Sequence, residues 1–126
     1  MTTNKSVIDQ KYILCIEPNK EMCLLLGMML PAKGLKVTYV ARIEQAAKFL
    51  QVEHPALIII ENIFALNEIA RHIATIKEDA PRSKILMVSS IGDEAAAAAK
   101  SAGVDLFLTK PFNKSTLLQA VLSMLD

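Results

Sequence analysis

Four apolar residues, Leu57-Ile58-Ile59-Ile60, run without a break into a carboxylate, Glu61. A short, β-branched run of this kind offers no polar face to water. It therefore reads as a strand covered on both sides, at the centre of a parallel sheet. Glu61 then stands at the strand's carboxyl end, the edge at which open α/β sheets gather ligands and chemistry.

The rest of the chain repeats that unit. Tyr12 to Ile16 is a second apolar run, closed by Glu17. Asn19 offers an N-cap, with Glu21 in the first turn of a helix that runs to about Pro31, and Gly34 supplies the stop. Leu35 to Val40 reads as strand two, and Ile43, Ala46, Ala47 and Leu50 recur at helical spacing. His54-Pro55 leads into the central strand. Leu66, Ile69, Ala70, Ile73 and Ile76 mark the inner face of a third helix, with Asn67, Glu68, Arg71, His72 and Lys77 outside. His54 and His72 read as plain surface residues. Ile85 to Val88 is strand four and Ser89 to Gly92 a loop. Asp93 caps a helix containing the run Ala95 to Ala99, which Gly103 ends. Val104 to Leu108 is strand five. Asn113 caps a fifth helix that turns Leu117, Leu118, Val121, Leu122 and Leu125 inward.

Five βα units in strict alternation predict an α/β fold: a doubly wound parallel sheet with helices on both faces and right-handed crossovers. The length of 126 residues fits a single domain. Residues 1–10 are polar and read as a flexible tail, leaving residues 11–126 as the domain.

Charge and cysteine content narrow the function. Fourteen basic and thirteen acidic residues leave a net charge of +1, without the basic excess of a nucleic-acid binder. Cys15 and Cys23 make no disulfide framework, and neither has a partner at metal-ligand spacing. The N-terminus lacks a signal-peptide h-region and no apolar run approaches membrane-spanning length. By elimination the chain reads as a reduced, cytoplasmic protein that engages neither nucleic acid nor membrane.

Glu17, Glu61, Ser89 and Lys110 all fall at carboxyl ends of strands. If the strand order is 2-1-3-4-5, strands one and three are neighbours and Glu17 and Glu61 share one crevice. Two carboxylates alone repel, and Lys110 supplies the opposing charge. These charges predict a direct Glu61–Lys110 ion pair.

From about Tyr12 to Leu125 the chain resembles the receiver domains of two-component response regulators. The resemblance rests on Ile13-Leu14-Cys15-Ile16-Glu17, on Pro55-Ala56-Leu57-Ile58-Ile59-Ile60-Glu61, on Met87-Val88-Ser89-Ser90, and most specifically on Ala102 through Phe112, AGVDLFLTKPF. It implies a flavodoxin-like (βα)5 sheet in the order 2-1-3-4-5. It also implies phosphoryl transfer from a histidine kinase or phosphotransferase to an aspartate at the position of Glu61. Ser89 matches the hydroxyl that reads the phosphoryl group, Phe107 the switch aromatic, Lys110 the family's lysine, and Pro111 its cis-proline.

The departures are equally specific. The family ends strand one with two acidic residues that hold Mg²⁺ together with the phosphoacceptor, and this chain has Glu17 followed by Pro18. Glu61 is one methylene longer than aspartate, a displacement of roughly 1.5 Å. Ala65 and Ile69 replace a proline and a glycine of the family pattern. The resemblance therefore points to a pseudo-receiver, a module that is not an enzyme and acts by protein–protein interaction without phosphorylation or a cofactor. Any metal would be Mg²⁺ held weakly between Glu17 and Glu61. Two other readings stand beside it: a Mg²⁺-dependent receiver that still accepts phosphate, and a small flavodoxin-like enzyme or cofactor binder. Scattered glycines and the lack of a nucleophile–base pair weigh against the last.

One feature owes nothing to the family. Met22 through Leu30 is apolar without a break. If Met22, Leu25, Leu26, Met29 and Leu30 face the core, Cys23, Leu24, Gly27 and Met28 face outward. That second stripe predicts an interface, either with a protein partner such as a kinase, phosphotransferase or effector, or with a second copy of the chain.

Overall fold

A computed structural model describes residues 9–31, 34–90 and 92–125. The expected tail, residues 1–10, lies outside the described residues except at its end, where Asp9 and Gln10 already belong to the first strand. The elements are β1 (Asp9–Ile16), α1 (Lys20–Met29), β2 (Lys36–Val40), α2 (Ile43–Leu50), β3 (Pro55–Glu61), α3 (Ile69–Asp79), β4 (Lys84–Ser89), α4 (Asp93–Ala102), β5 (Leu106–Thr109) and α5 (Lys114–Leu125). A 3₁₀ turn over Leu66–Glu68 precedes α3.

The five strands form one sheet in the order β2-β1-β3-β4-β5, every pair parallel. This is the doubly wound parallel sheet expected from the alternation, in the flavodoxin-like order that the resemblance implies. Strand periodicity divides the core into two layers. Leu14, Ile16, Ile58, Ile60, Ile85 and Met87 face one side, under Ala46 and Leu50 of α2, Ile69, Ile73 and Ile76 of α3, and Ala95 and Ala99 of α4. Ile13, Cys15, Leu57, Ile59, Leu86 and Val88 face the other, under Leu26 and Leu30 of α1 and Leu117 and Val121 of α5. The central run feeds both layers, and each of its fully buried side chains contributes about 1.5–3 kcal/mol.

Several boundaries differ from expectation, each for a local reason. Ser89 is the last residue of β4, paired with Thr109, rather than the start of a loop. Val104 is buried but does not open β5, because its N–H closes the end of α4 by bonding Ala99 O at 3.0 Å. Gly103, at φ 102°, makes that left-handed closure possible. Gly92, not Asp93, occupies the N-cap position of α4, and Asp93 instead places its charge in the first turn. Leu66 falls on the 3₁₀ turn and is 45% exposed, and Ala70 is exposed, so the inner stripe of α3 is Ile69, Ile73 and Ile76. His72 is more than a surface residue, since its ring stacks on Phe64 with centroids 4.1 Å apart. In α5, Leu117 and Val121 are buried, while Leu118 and Leu125 pack at the edge of their layer. Among the described residues no helix is long and apolar enough to cross a membrane.

Candidate functional site at the carboxyl edge of the sheet

Sheet register assembles the site. Ile16 pairs with Ile60 across β1 and β3, so the next residues, Glu17 and Glu61, stand side by side. Val40 O accepts from the Glu17 N–H at 2.9 Å, which continues the sheet through that residue. Glu61 pairs with Val88 on the other flank, one residue before Ser89. The Lys110 N–H donates to Ser89 O at 2.8 Å, bringing the end of β5 against β4. The Lys110–Pro111 peptide is cis. Four residues from four strands thus share one edge.

The Lys110 ammonium approaches Glu61 Oε2 at 2.8 Å, with the two side chains 25% and 11% exposed. Glu17 is 4% exposed and its carboxylate accepts from the Asn19 N–H at 3.1 Å. Asn19 also caps α1, its Oδ1 accepting from the N–H of Glu21 and of Met22. Burial lifts the Glu17 carboxyl above the ordinary range; the Asn19 N–H opposes this, Glu61 raises it further and Lys110 lowers it. Burial likewise pushes the thiols of Cys15 and Cys23 up, which makes them poor nucleophiles.

Glu17 has a consequence for stability. A carboxyl whose native pKa is raised binds its proton more tightly when folded. Its contribution is complete below the ordinary glutamate range and is lost as pH rises through the elevated native value. Glu17→Gln keeps the acceptor for Asn19 and removes the titration. The variant is therefore expected to be more stable than wild type at neutral pH, with the advantage shrinking on acidification. Urea midpoints over roughly pH 4 to 8 measure this; a wild-type-minus-variant difference that does not change with pH would count against it.

The donor set does not suit Mg²⁺. That ion requires near-octahedral oxygen coordination at short distance. Pro18 is exposed and offers no side-chain ligand, Lys110 is already against Glu61, and the described residues contain no group of three His, Cys, Asp or Glu side chains able to hold a metal.

One residue of this edge went unread in the sequence. Asn62 follows Glu61 and is buried; strand alternation carries it to the face of Ile58 and Ile60. Its Nδ2 donates to Ser89 Oγ at 3.2 Å, its Oδ1 accepts from the Phe64 N–H at 3.2 Å, and its backbone N–H donates to Val88 O at 2.8 Å. The available signal was a polar residue continuing the buried face of an apolar strand, where it must find partners. Phe107 packs against that same layer, partly buried.

The second stripe of α1 is where periodicity puts it. Leu24 and Met28 are 68% and 74% exposed, and Cys23 is half-buried. With Gly27 and Tyr39 they line a groove of about 530 Å³. A Cβ on Gly27 would lie 3.0 Å from Tyr39 Oη, so the glycine lets α1 approach β2 this closely. Burial raises the Tyr39 hydroxyl to about 12.

No curated protein matches the chain. Among solved structures, an orphan response regulator of H. pylori superposes with a TM-score of 0.80 at 20% identity, covering 95% of this chain and 100% of that one. A two-component response regulator from Clostridium difficile gives 0.80 at 24% identity, over 91% and 95%. The beryllofluoride-activated NtrC4 receiver domain dimer gives 0.81 at 21% identity, over 91% and 96%. At these identities the likeness shows the fold. The model of the response regulator receiver domain matches residues 13–122, which is most of the sequence, and the chain belongs to that family of two-component signalling modules.

Proposed function

We propose that the chain is a pseudo-receiver, which signals by contact with another protein and is not switched by phosphorylation. The observation that carries this reading is the Glu61–Lys110 ion pair at 2.8 Å, beside a Glu17 that has no acidic neighbour at position 18. In the family pattern an acidic pair and an aspartate leave a negative cluster for a cation to neutralise. The family's lysine faces three carboxylates there; here Lys110 faces two, one of which it pairs directly, and the longer acceptor is displaced. The direct test is titration of the wild type with beryllofluoride and Mg²⁺, followed by amide NMR. No shift at Glu61, Ser89 or Lys110 is expected; saturable shifts at these residues would refute the reading.

The contact surface in this reading is the outer face of α1 with Tyr39, which meets an apolar face of a protein partner. Leu24→Glu with Met28→Lys tests it. Both positions are exposed, and the new charges sit four residues apart in the favourable order. Stability should therefore change by no more than about 0.5 kcal/mol. Self-association in sedimentation velocity, or binding of a purified partner, should be lost. Wild type that stays monomeric, together with partner binding unaffected by the two changes, would remove α1 from the proposal.

A further inference from the structure

Asn62 is held at three points. Its Oδ1 accepts from the Phe64 N–H, a role only the carbonyl end of the amide can fill, so the NH₂ end must face Ser89. That orientation fixes Ser89 Oγ as an acceptor toward β3. Ser89 is fully buried, and its carbonyl accepts from the Lys110 N–H, the same lysine that pairs with Glu61. Bonds and backbone therefore close a circuit from Glu61 through Asn62, Ser89 and Lys110 back to Glu61. It ties the carboxyl ends of β3, β4 and β5 together with no added group.

We infer that Asn62 is a positioning residue whose amide holds the Ser89 hydroxyl in one place, so that the end of β4 and the first turn of α4 keep a single arrangement without a phosphoryl group. The inference rests on the pseudo-receiver reading and deepens it: that reading says the pocket is not phosphorylated, and this one says what holds the hydroxyl instead. Strand alternation supports it. Asn62, Ser89 and Phe107 all lie on the face that α4 covers, opposite the layer of α1 and α5, so a change at the Asn62–Ser89 bond reaches Phe107 and α4 before it reaches the α1 surface. A bond that merely satisfied two buried polar groups would contribute to global stability and do nothing local.

Hydrogen exchange on the full chain separates these. Ser89→Ala removes only the acceptor toward Asn62. Asn62→Leu keeps the branched outline but removes both the donor to Ser89 and the acceptor for the Phe64 N–H, and serves as the second variant. Val121→Ala, a core loss in the opposite layer, is the control. We expect exchange at residues 96–99, the first amides of α4 that carry intrahelical bonds, and at Phe107 to quicken by about tenfold more than at β1 in either bond variant, whereas Val121→Ala should not single them out. An increase in the bond variants that is uniform across the chain, or within about twofold of the control at residues 96–99, would overturn the inference and leave the proposed function standing. Beryllofluoride uptake by the wild type would instead overturn the proposed function, and with it the claim that Asn62 acts in place of a bound phosphoryl group.

Discussion

Pro18→Asp combined with Glu61→Asp is expected to take phosphate from acetyl phosphate in the presence of Mg²⁺, while wild type and each single variant do not. Glu61→Asp alone draws the carboxylate back by one methylene but leaves position 18 without a ligand. Pro18→Asp alone supplies the ligand and leaves the acceptor displaced. Only together do they offer the oxygen set that Mg²⁺ demands, and only then is the charge developing on the transferred group neutralised. Such neutralisation is worth several kcal/mol, so labelling of the double variant should stand at least about tenfold above the background seen with wild type and either single variant. Ser89 and Lys110 already stand at the same edge. Glu17, long for a metal ligand, sets the ceiling on the gain. Intact-mass spectrometry reads the result, and labelling of Glu61→Asp alone at the rate of the double variant would refute the two-change requirement.

Lys110→Met is expected to destabilise the protein by about 2–3 kcal/mol, less than a fully buried broken pair because Lys110 is 25% exposed. The loss comes from Glu61 and Glu17, left facing each other at an edge where water reaches little. Glu61→Gln alone should cost less, because the lysine stem can carry its ammonium outward. The double variant Glu61→Gln with Lys110→Met should recover most of the loss, since a neutral amide beside a thioether leaves no buried charge. Urea denaturation of the four proteins gives the coupling. A Lys110→Met loss that Glu61→Gln does not relieve would show that the lysine acts by packing and not by charge.

The reach of the sequence is visible in individual residues. Leu57 to Ile60 placed β3 at the centre because an unbroken apolar run has few other places to go. The alternation of units points to a doubly wound parallel sheet, the resemblance supplies its strand order, and the strand ends locate Glu17, Glu61 and Lys110. What was misread depends on three-dimensional partners. Leu66 and Ala70 have the right period for α3, but the 3₁₀ turn that sets the helix phase is a backbone choice between equally apolar frames. Val104 looks like a strand residue, and its N–H is taken by the preceding helix. Asn62 looks like a loop residue after Glu61, and its partner Ser89 is 27 positions away. Polar pairs of that separation leave no local period to detect.

The alanines of α4 carry a consequence for motion. Ala95 and Ala99 are wholly buried, and they are the residues by which this helix enters the core. Each methyl removes far less apolar surface from water than the leucines and isoleucines that anchor α3 and α5, at about 0.8 kcal/mol per carbon. α4 is thus lightly glued: it lies close to the sheet and little holds it there. Partial opening of the protein should begin with this helix, as the sub-global unit of lowest free energy. A lightly held helix is also the one that a single contact, made or broken at its base, can release as a whole.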